Sequence, residues 1–495
     1  MSIVINPFPQ TELTGNQFSV TINGQNLPLL TAFVSAMPYN RRWPGYQRPA
    51  YQREEVNFGA FAMDAPVEIT VRPTRSFRTA VIRPLSLGIQ PKIEDGVITF
   101  TLPHPTYFTV ELDGFHNALH LFAEPVINFA ADPASADVLY FGPGVHETDV
   151  LELRSGQTVF IDEGAVVYCK GIIARNADNI RILGRGILDN SRNTETILWD
   201  APEDGTITEA EAIQNAVRTH FIQLEACKNV LIEGPTLRDS LAYNIRPVAC
   251  TDLTIRHVKL IGNWRYNSDG IDMHNCRNVH ISDSFIRTFD DCICAKGFDG
   301  YGDFDLPEKS DVFDGLTVER CVLWNDWNCV LEIGAETRAE EICNITWRDC
   351  DIIHATTSML DIQNVDQAEV HHWLAENIRC EFDEPAPTPA YQWRETDPYE
   401  PHFENHYQPF LFSASITYHH EYSESKERRG RIHDVTLRNI QINGSQKPIL
   451  RFFGYDQQHL CENVTIDGIW RNGNRLSAED LDIRMNEFTD SIHYL

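Results

Sequence analysis

Cations are in short supply in this chain. Its 495 residues hold 41 lysines and arginines against 71 aspartates and glutamates, a formal net charge of -30. Nucleic acid and anionic membrane surfaces are poor partners for such a molecule. A strongly acidic polymer is a poor substrate too, unless a local basic patch attracts it. Long apolar runs are also missing: no stretch approaches the roughly 20 residues needed to span a bilayer. The segment Met1 to Leu13 has no basic stretch followed by an apolar one, so no secretory leader is expected there. The twelve cysteines form no Cys-x-x-Cys pair and all lie from Cys169 onward. Most sit in short apolar segments, as do Cys227, Cys250, Cys276, Cys321 and Cys350. Reduced core thiols in a cytoplasmic protein are expected, rather than a disulfide framework or a zinc centre. Gly-rich phosphate loops, metal-ligand spacings and nucleophile elbows are absent, and no cofactor or metal is expected. Asn344-Ile345-Thr346 and Asn463-Val464-Thr465 match the glycosylation pattern, but both lie inside strand signals and read as chance matches. A homo-oligomer stays open.

What the chain has in quantity is β-pattern. Hydrophobic residues make up 42%, enough for a large core. The length is too great for one compact core and points to two domains, unless the architecture is a repeat growing along one axis. Over residues 1–135, short runs alternate apolar and polar positions, as in Phe18-Ser19-Val20-Thr21-Ile22 and Val67-Glu68-Ile69-Thr70-Val71. With their turn signals they predict an antiparallel β-sandwich. The turn-rich segment Trp43 to Pro49 reads as a surface loop.

Over residues 136–495 a short signature recurs: a polar residue, then an apolar-polar-apolar triplet. It appears at Asn179, Asn229, Asp252, Asn278, Gly315, Asn344, Asp434 and Asn463. The closest copies lie roughly 23 to 29 residues apart, within the period range of a solenoid. Val and Ile at every second position point inward. Each coil is too short to bury its own face, so neighbours stack and share a core. Asn before each strand suits a tight bend because it tolerates left-handed backbone angles, and stacked Asn side chains can align in a ladder. A leucine-rich repeat would need regular Leu spacing. A βα fold would need many amphipathic helices, and only Glu209 to Val217 is a good candidate. The expected fold is therefore all-β: a parallel β-helix preceded by a β-sandwich. Two inserts interrupt it, the acidic Phe298 to Phe313 and the aromatic Phe382 to Arg431, and either can wall a groove.

The chemistry gathers in one place. Asn267-Ser268-Asp269-Gly270-Ile271-Asp272 is followed by Phe289-Asp290-Asp291-Cys292-Ile293, with Asp290 lying 21 residues after Asp269. A separation near one coil length brings residues side by side on stacked strands, about 5 Å apart. Two charges so placed repel by about 3 kcal/mol at an effective dielectric of 20. That crowding is expected to raise at least one pKa and leave one acid protonated beside an ionised neighbour. Glycosidic cleavage needs that pairing: an acid for the leaving oxygen and a base for water. A regular strand would aim either Asp290 or Asp291 into the core, so a bend is expected there. Lys296, near the acids, can bond a sugar hydroxyl, tune Asp290 or form a salt bridge. Glu332 and Glu336 are expected one or two coils on, in the same groove. Trp264, Tyr266 and Trp327 are candidates for stacking on sugar rings, and Asn267 and Gln363 for bonding hydroxyls. His274 reads as a surface histidine.

These residues also carry a resemblance. Asn-Ser-Asp-Gly-Ile-Asp at 267–272, Asp-Asp-Cys-Ile at 290–293, Lys296-Gly297 and Gly184-Arg185-Gly186-Ile187-Leu188-Asp189 resemble polygalacturonases of glycoside hydrolase family 28. The resemblance covers roughly Val138 to Ile362. It implies a right-handed parallel β-helix and hydrolysis with inversion, with Asp290 as general acid and Asp269 and Asp291 activating water. The sequence departs from the family in two places. Cys329 stands where the family has the His of Gly-His-Gly. Asp361-Ile362-Gln363 stands where the family's Arg-Ile-Lys grips the uronate carboxylate. A carboxylate there would repel a uronic acid, so a neutral sugar such as an α-glucan is expected over polygalacturonate. The two-domain plan is also similar to family 49, the dextranases and isopullulanases, which act on neutral α-glucans; this likeness is one of architecture.

Alternatives stay open. A pectin-type polygalacturonase or exo-galacturonidase would cleave uronates. A β-helix lyase, which would need a base and often calcium, would leave unsaturated products absorbing in the ultraviolet; a transferase belongs to the same class. The acidic insert can hold calcium, although it lacks the EF-hand register. A non-catalytic sugar-binding solenoid would keep its function when Asp290 becomes Asn.

Overall fold

The computed structural model describes residues 3–36, 52–193, 220–298, 311–382 and 408–495, apart from Leu13 and Glu421, together with the short pairs 390–391 and 400–401. The loop Trp43 to Pro49, the helix expected over Glu209 to Val217, most of the acidic insert and less than half of the aromatic one lie outside the described residues.

Two sheets face each other in the N-terminal part. One runs in the order Ile3–Ile5, Arg53–Met63, Leu119–Pro125, Thr106–Leu112 and Ala80–Arg83, with Leu30–Ser35 also paired to Arg53–Met63. The other runs Gln25–Leu27, Phe18–Ile22, Val67–Pro73, Val97–Leu102 and Lys92–Glu94. The period-two pattern packs Val20, Ile22, Ile69, Val71 and Ile98 against Phe108, Val110, Leu119 and Leu121. The pairing is antiparallel except that Leu119–Pro125 runs parallel to Arg53–Met63. The chain between these two strands supplies strands to both sheets before it returns in the same direction.

From Val138 to Tyr494 the described strands join one sheet of 31 strands wound as a parallel β-helix, apart from Ala390–Tyr391 and Glu400–Pro401, which pair only with each other. The recurring polar residue is the corner of each coil. Asn179, Asn229, Asp252, Asn278, Asn344, Asp434 and Asn463 all have φ between 51° and 58°, and Gly315 has φ 84°. Asn and Asp tolerate this left-handed region where other side chains lose about 1–2 kcal/mol. The ladder is present too: Asn229 donates to Asn179, Asn278 to Asp252, and Asn344 to the Asp314 carboxylate at 2.7 Å. The interior is aliphatic and thiol-rich, and all twelve cysteines are free and buried. Cys227, Cys250 and Cys276 donate weakly to the carbonyls of Ala174, Leu224 and Pro247 on the preceding coil. A small apolar side chain with a donor suits an interior corner.

The sandwich lies against one flank of the helix. Ala32, Val34, Phe58, Tyr107 and Phe122 pack on Val166, Ile187, Ile261, Phe285, Val322 and Trp324. Ion pairs cross this junction out of water: Arg238 with Glu12, Lys259 with Glu124, and Arg83 with Glu381.

Candidate active site

The three aspartates stand on bends where the chain leaves the flank facing the sandwich. Asp269 precedes the strand Ile271–His274, and Asp290 and Asp291 precede Ile293–Gly297. The Asp290 carbonyl accepts bonds from the Thr288 hydroxyl at 2.5 Å and the Asn325 amide at 2.6 Å. That bend lets both neighbouring carboxylates avoid the apolar interior, as their spacing in the sequence requires. Gly270 allows the coils to touch: a Cβ there would stand 2.2 Å from the Cys292 carbonyl oxygen.

The register refines the expected pairing. Ile271 is level with Ile293, so Asp269 is level with Asp291, and Asp290 lies one residue back. One carboxylate oxygen from each of Asp269, Asp290 and Asp291 lies within 4.8 Å of the others. All three are almost sealed, with 2%, 6% and 5% of their surface exposed. Asn328 donates to Asp290 Oδ1 at 2.9 Å, and the Cys329 N–H donates to Asp291 Oδ1 at 3.1 Å. Oδ1 of Asp269 is buried without a hydrogen-bond partner.

Burial is the main cause of the raised pKa values; crowding, the cause expected from spacing, comes second. Asp269 is pushed well above the carboxylate range by burial and then by Asp272 and Asp290. Asp291 is pushed well above it by burial, Glu332 and Asp290. Burial pushes Asp290 up to about 6, opposed by the Asn328 hydrogen bond. The cluster therefore keeps at least one proton where exposed aspartates are ionised.

Lys296 is held in salt bridges. Its ammonium lies 2.7 Å from Asp272 Oδ2 and 3.3 Å from Glu336 Oε2, and donates to the Tyr243 hydroxyl at 3.4 Å. Burial works against its charge, yet Asp272 and Glu336 hold its pKa well above the usual value. Glu332 is level with Cys294 and two coils beyond Asp272, as expected from the coil length. Asp361 is level with Glu332, and half-buried Gln363 is level with Ser415.

The aromatic candidates divide. Trp264 is buried, and its indole N–H donates to Asp239 at 3.1 Å, beside the guanidinium groups of Arg265 and Arg53. It braces a corner and offers no free face to a sugar. Tyr266 is buried and meets Phe289 edge-on at 6.1 Å. Phe289 stacks on half-buried Trp327 at 5.2 Å, which leaves Trp327 the better sugar platform. Asn267 is half-buried in the left-handed region, φ 51°. His274 corrects the surface assignment: it is 1% exposed and stacks on Phe298 at 4.5 Å. Burial pushes its pKa well below the usual value, so it is neutral.

Sequence reading passed over Asp272, Tyr243 and Asn328. Asp272 lies three residues after Asp269, a spacing that a regular strand would turn to the opposite face, so only the bend before Ile271 brings the two together. Asn328 reaches the site only through stacking. Stacking also creates spacings that no linear motif shows: Asp269, Asp290 and Asp291 form one group able to hold a cation, and Asp291, Cys329 and Glu332 another. A third, Glu341, Cys343 and His371, involves strands away from the aspartates.

With 13% identity and a TM-score of 0.58, Dex49A from Penicillium minioluteum matches 99% of this chain and 96% of its own, which shows a shared fold. Residues 146–300 match the model of glycosyl hydrolases family 28, the span that holds all three aspartates. A "Probable polygalacturonase" of Vitis vinifera is 27% identical over 195 residues, 37% of each chain. An isopullulanase of Aspergillus niger is 24% identical over 343 residues, 59% of this chain and 56% of that one. The chain thus spans between about a third and just over half of the lengths of these relatives. It resembles family 28 glycosyl hydrolases and joins that β-helix to a sandwich, in an architecture like that of Dex49A.

Proposed function

We propose that the protein is a glycoside hydrolase that cleaves an α-linked neutral glycan or oligosaccharide by inversion. The observation that carries this reading is the convergence of Asp269, Asp290 and Asp291 within 4.8 Å. Asp290 protonates the glycosidic oxygen; of Asp269 and Asp291, whichever gives up its proton deprotonates the attacking water, and the other orients it. The segment matching the family 28 model supports these roles. Neutral specificity is supported by Asp361 and Glu332 beside the trio and by the net charge of -30. The isopullulanase relative is in keeping with it, while the polygalacturonase relative pulls the other way. Twelve buried free thiols support a reducing, cytoplasmic setting, with imported oligosaccharides as substrate.

One observation favours a second reading. Carboxyl pairs in inverting enzymes are usually about 6.5–9.5 Å apart, and about 5–5.5 Å apart in retaining ones. One oxygen from each carboxylate here lies within 4.8 Å of the others, below the inverting range, and Asn328 favours the ionised form of Asp290, as a nucleophile would need. Proton NMR of the first-formed product decides: an inverted anomer supports the proposal, and a retained one transfers it to a covalent glycosyl-enzyme. Asp290→Asn is expected to lower kcat by about 10²–10⁴-fold with the fold intact by circular dichroism. Unchanged turnover would overturn the acid role.

A further inference from the structure

Along the face that carries Asp272, one side chain per coil comes level with the next: Asp272, Cys294, Glu332, Asp361, Ser413 and Arg451. The alternating neighbours Leu331, Ile333, Leu360 and Ile362 belong to the interior. Glu332 and Asp361 therefore project outward, on adjacent strands about 4.8 Å apart. Only 3% and 5% of their surface is exposed.

The two acids have different company. Asp361 has Ser413 and Ser358 as hydrogen-bond partners, and Arg451, which itself donates to the Ser413 hydroxyl at 2.7 Å, favours its charge. Burial pushes its pKa up to about 6, so it is mostly ionised at neutral pH. Glu332 is in no salt bridge among the described residues, because Lys296 is engaged by Asp272 and Glu336. It lies instead between Asp291, which is its hydrogen-bond partner, and Asp361. Burial and then Asp361 push its pKa up to about 8, so it keeps its proton at neutral pH. One of its oxygens, Oε2, is buried without a hydrogen-bond partner. A buried polar atom left alone in this way is satisfied by an arriving ligand group.

We propose that Glu332 and Asp361 form a hydroxyl-reading subsite beside Asp291, which takes a ring bearing free hydroxyls there and rejects a ring bearing a carboxylate. This rests on the glycosidase reading and adds the residues that set its specificity. Protonated Glu332 donates to one sugar oxygen, and ionised Asp361 accepts from a neighbouring hydroxyl. A uronate at the same place would set its charge against Asp361, with Arg451 held behind Ser413.

The test compares matched neutral and uronic α-oligosaccharides. Wild type, Glu332→Gln, Glu332→Leu and Asp361→Arg are assayed for kcat and KM, and Asp290→Asn for calorimetric binding of both ligands. Wild type is expected to prefer the neutral ligand by at least about 100-fold in kcat/KM. Glu332→Leu is expected to raise KM for it about tenfold more than Glu332→Gln, which keeps a donor. Asp361→Arg is expected to narrow the preference; if that variant does not fold, the Gln and Leu pair still decides. Equal affinity for both ligands, or equal KM values for the Gln and Leu variants, overturns the subsite. Binding of neutral ligand by Asp290→Asn, with no reducing ends released by wild type, overturns hydrolysis alone. Binding of neither ligand overturns both.

Discussion

Replacing Lys296 by methionine takes the cation out of the acidic floor with little change of volume. Its ammonium sits 2.7 Å from an Asp272 oxygen, and Asp272 is 0% exposed. Breaking a buried pair this way typically costs about 3–5 kcal/mol, because the survivor is stranded. Protonation sets a ceiling on that loss. Asp272 can take up a proton at a cost of about 1.4 kcal/mol per pH unit above its unfolded pKa of about 3.9. The ceiling is thus about 4 kcal/mol at pH 7 and about 1.5 kcal/mol at pH 5. The direction follows from the native environment: burial raises the Asp272 pKa, and Lys296 opposes that rise. Without Lys296 the native pKa climbs further. The loss then begins only above the raised native pKa that Asp272 has beside Lys296, grows with pH, and levels off above the new native pKa. Glu336, with 20% of its side chain exposed, reaches water and adds little. Urea unfolding followed by circular dichroism at pH 5 and pH 7 reads the difference. A Lys296→Met, Asp272→Asn double variant is expected to recover most of the pH 7 loss. Equal losses at both pH values, or a double variant no better than the single one, would refute the reasoning.

Three further outcomes are expected. With Asp290 titrating at about 6, kcat/KM falls as pH rises through that value; Asn328→Ala removes a bond that favours the ionised form and moves this alkaline limb to higher pH. An unmoved limb would take the acid role away from Asp290. Asn278→Val forces a β-branched residue into φ 52° and is expected to cost about 1–2 kcal/mol in urea unfolding, whereas Asn278→Gly costs clearly less. Gly270→Ala drives a methyl to 2.2 Å from the Cys292 carbonyl oxygen, and is expected to shift Asp269 and lower kcat more than KM changes; unaltered kinetics would show that the coils can part at no cost.

The corners of the helix were readable one residue at a time. Asn179, Asn229 and their counterparts announce a left-handed bend by their side chains, and the triplets after them announce the inward strand. The aspartate cluster was readable as spacing, but only to within one residue. The local coil advances 22 residues from Ile271 to Ile293, and that step puts Asp291, rather than Asp290, level with Asp269. His274 misled because a lone histidine between strand signals carries no mark of burial; stacking on Phe298 provides it. Trp264 misled because its partner Asp239 lies on another coil.

By itself the sequence determined what is periodic: which side chains turn the corner, which fill the interior, and which coils carry the acids. Only the tertiary structure decided which acids share a proton, which cation each one meets, and which aromatic faces stay free. The first set depends on backbone preference and alternation within a few residues. The second depends on contacts between coils and with the sandwich, whose partners lie tens to hundreds of residues apart along the chain.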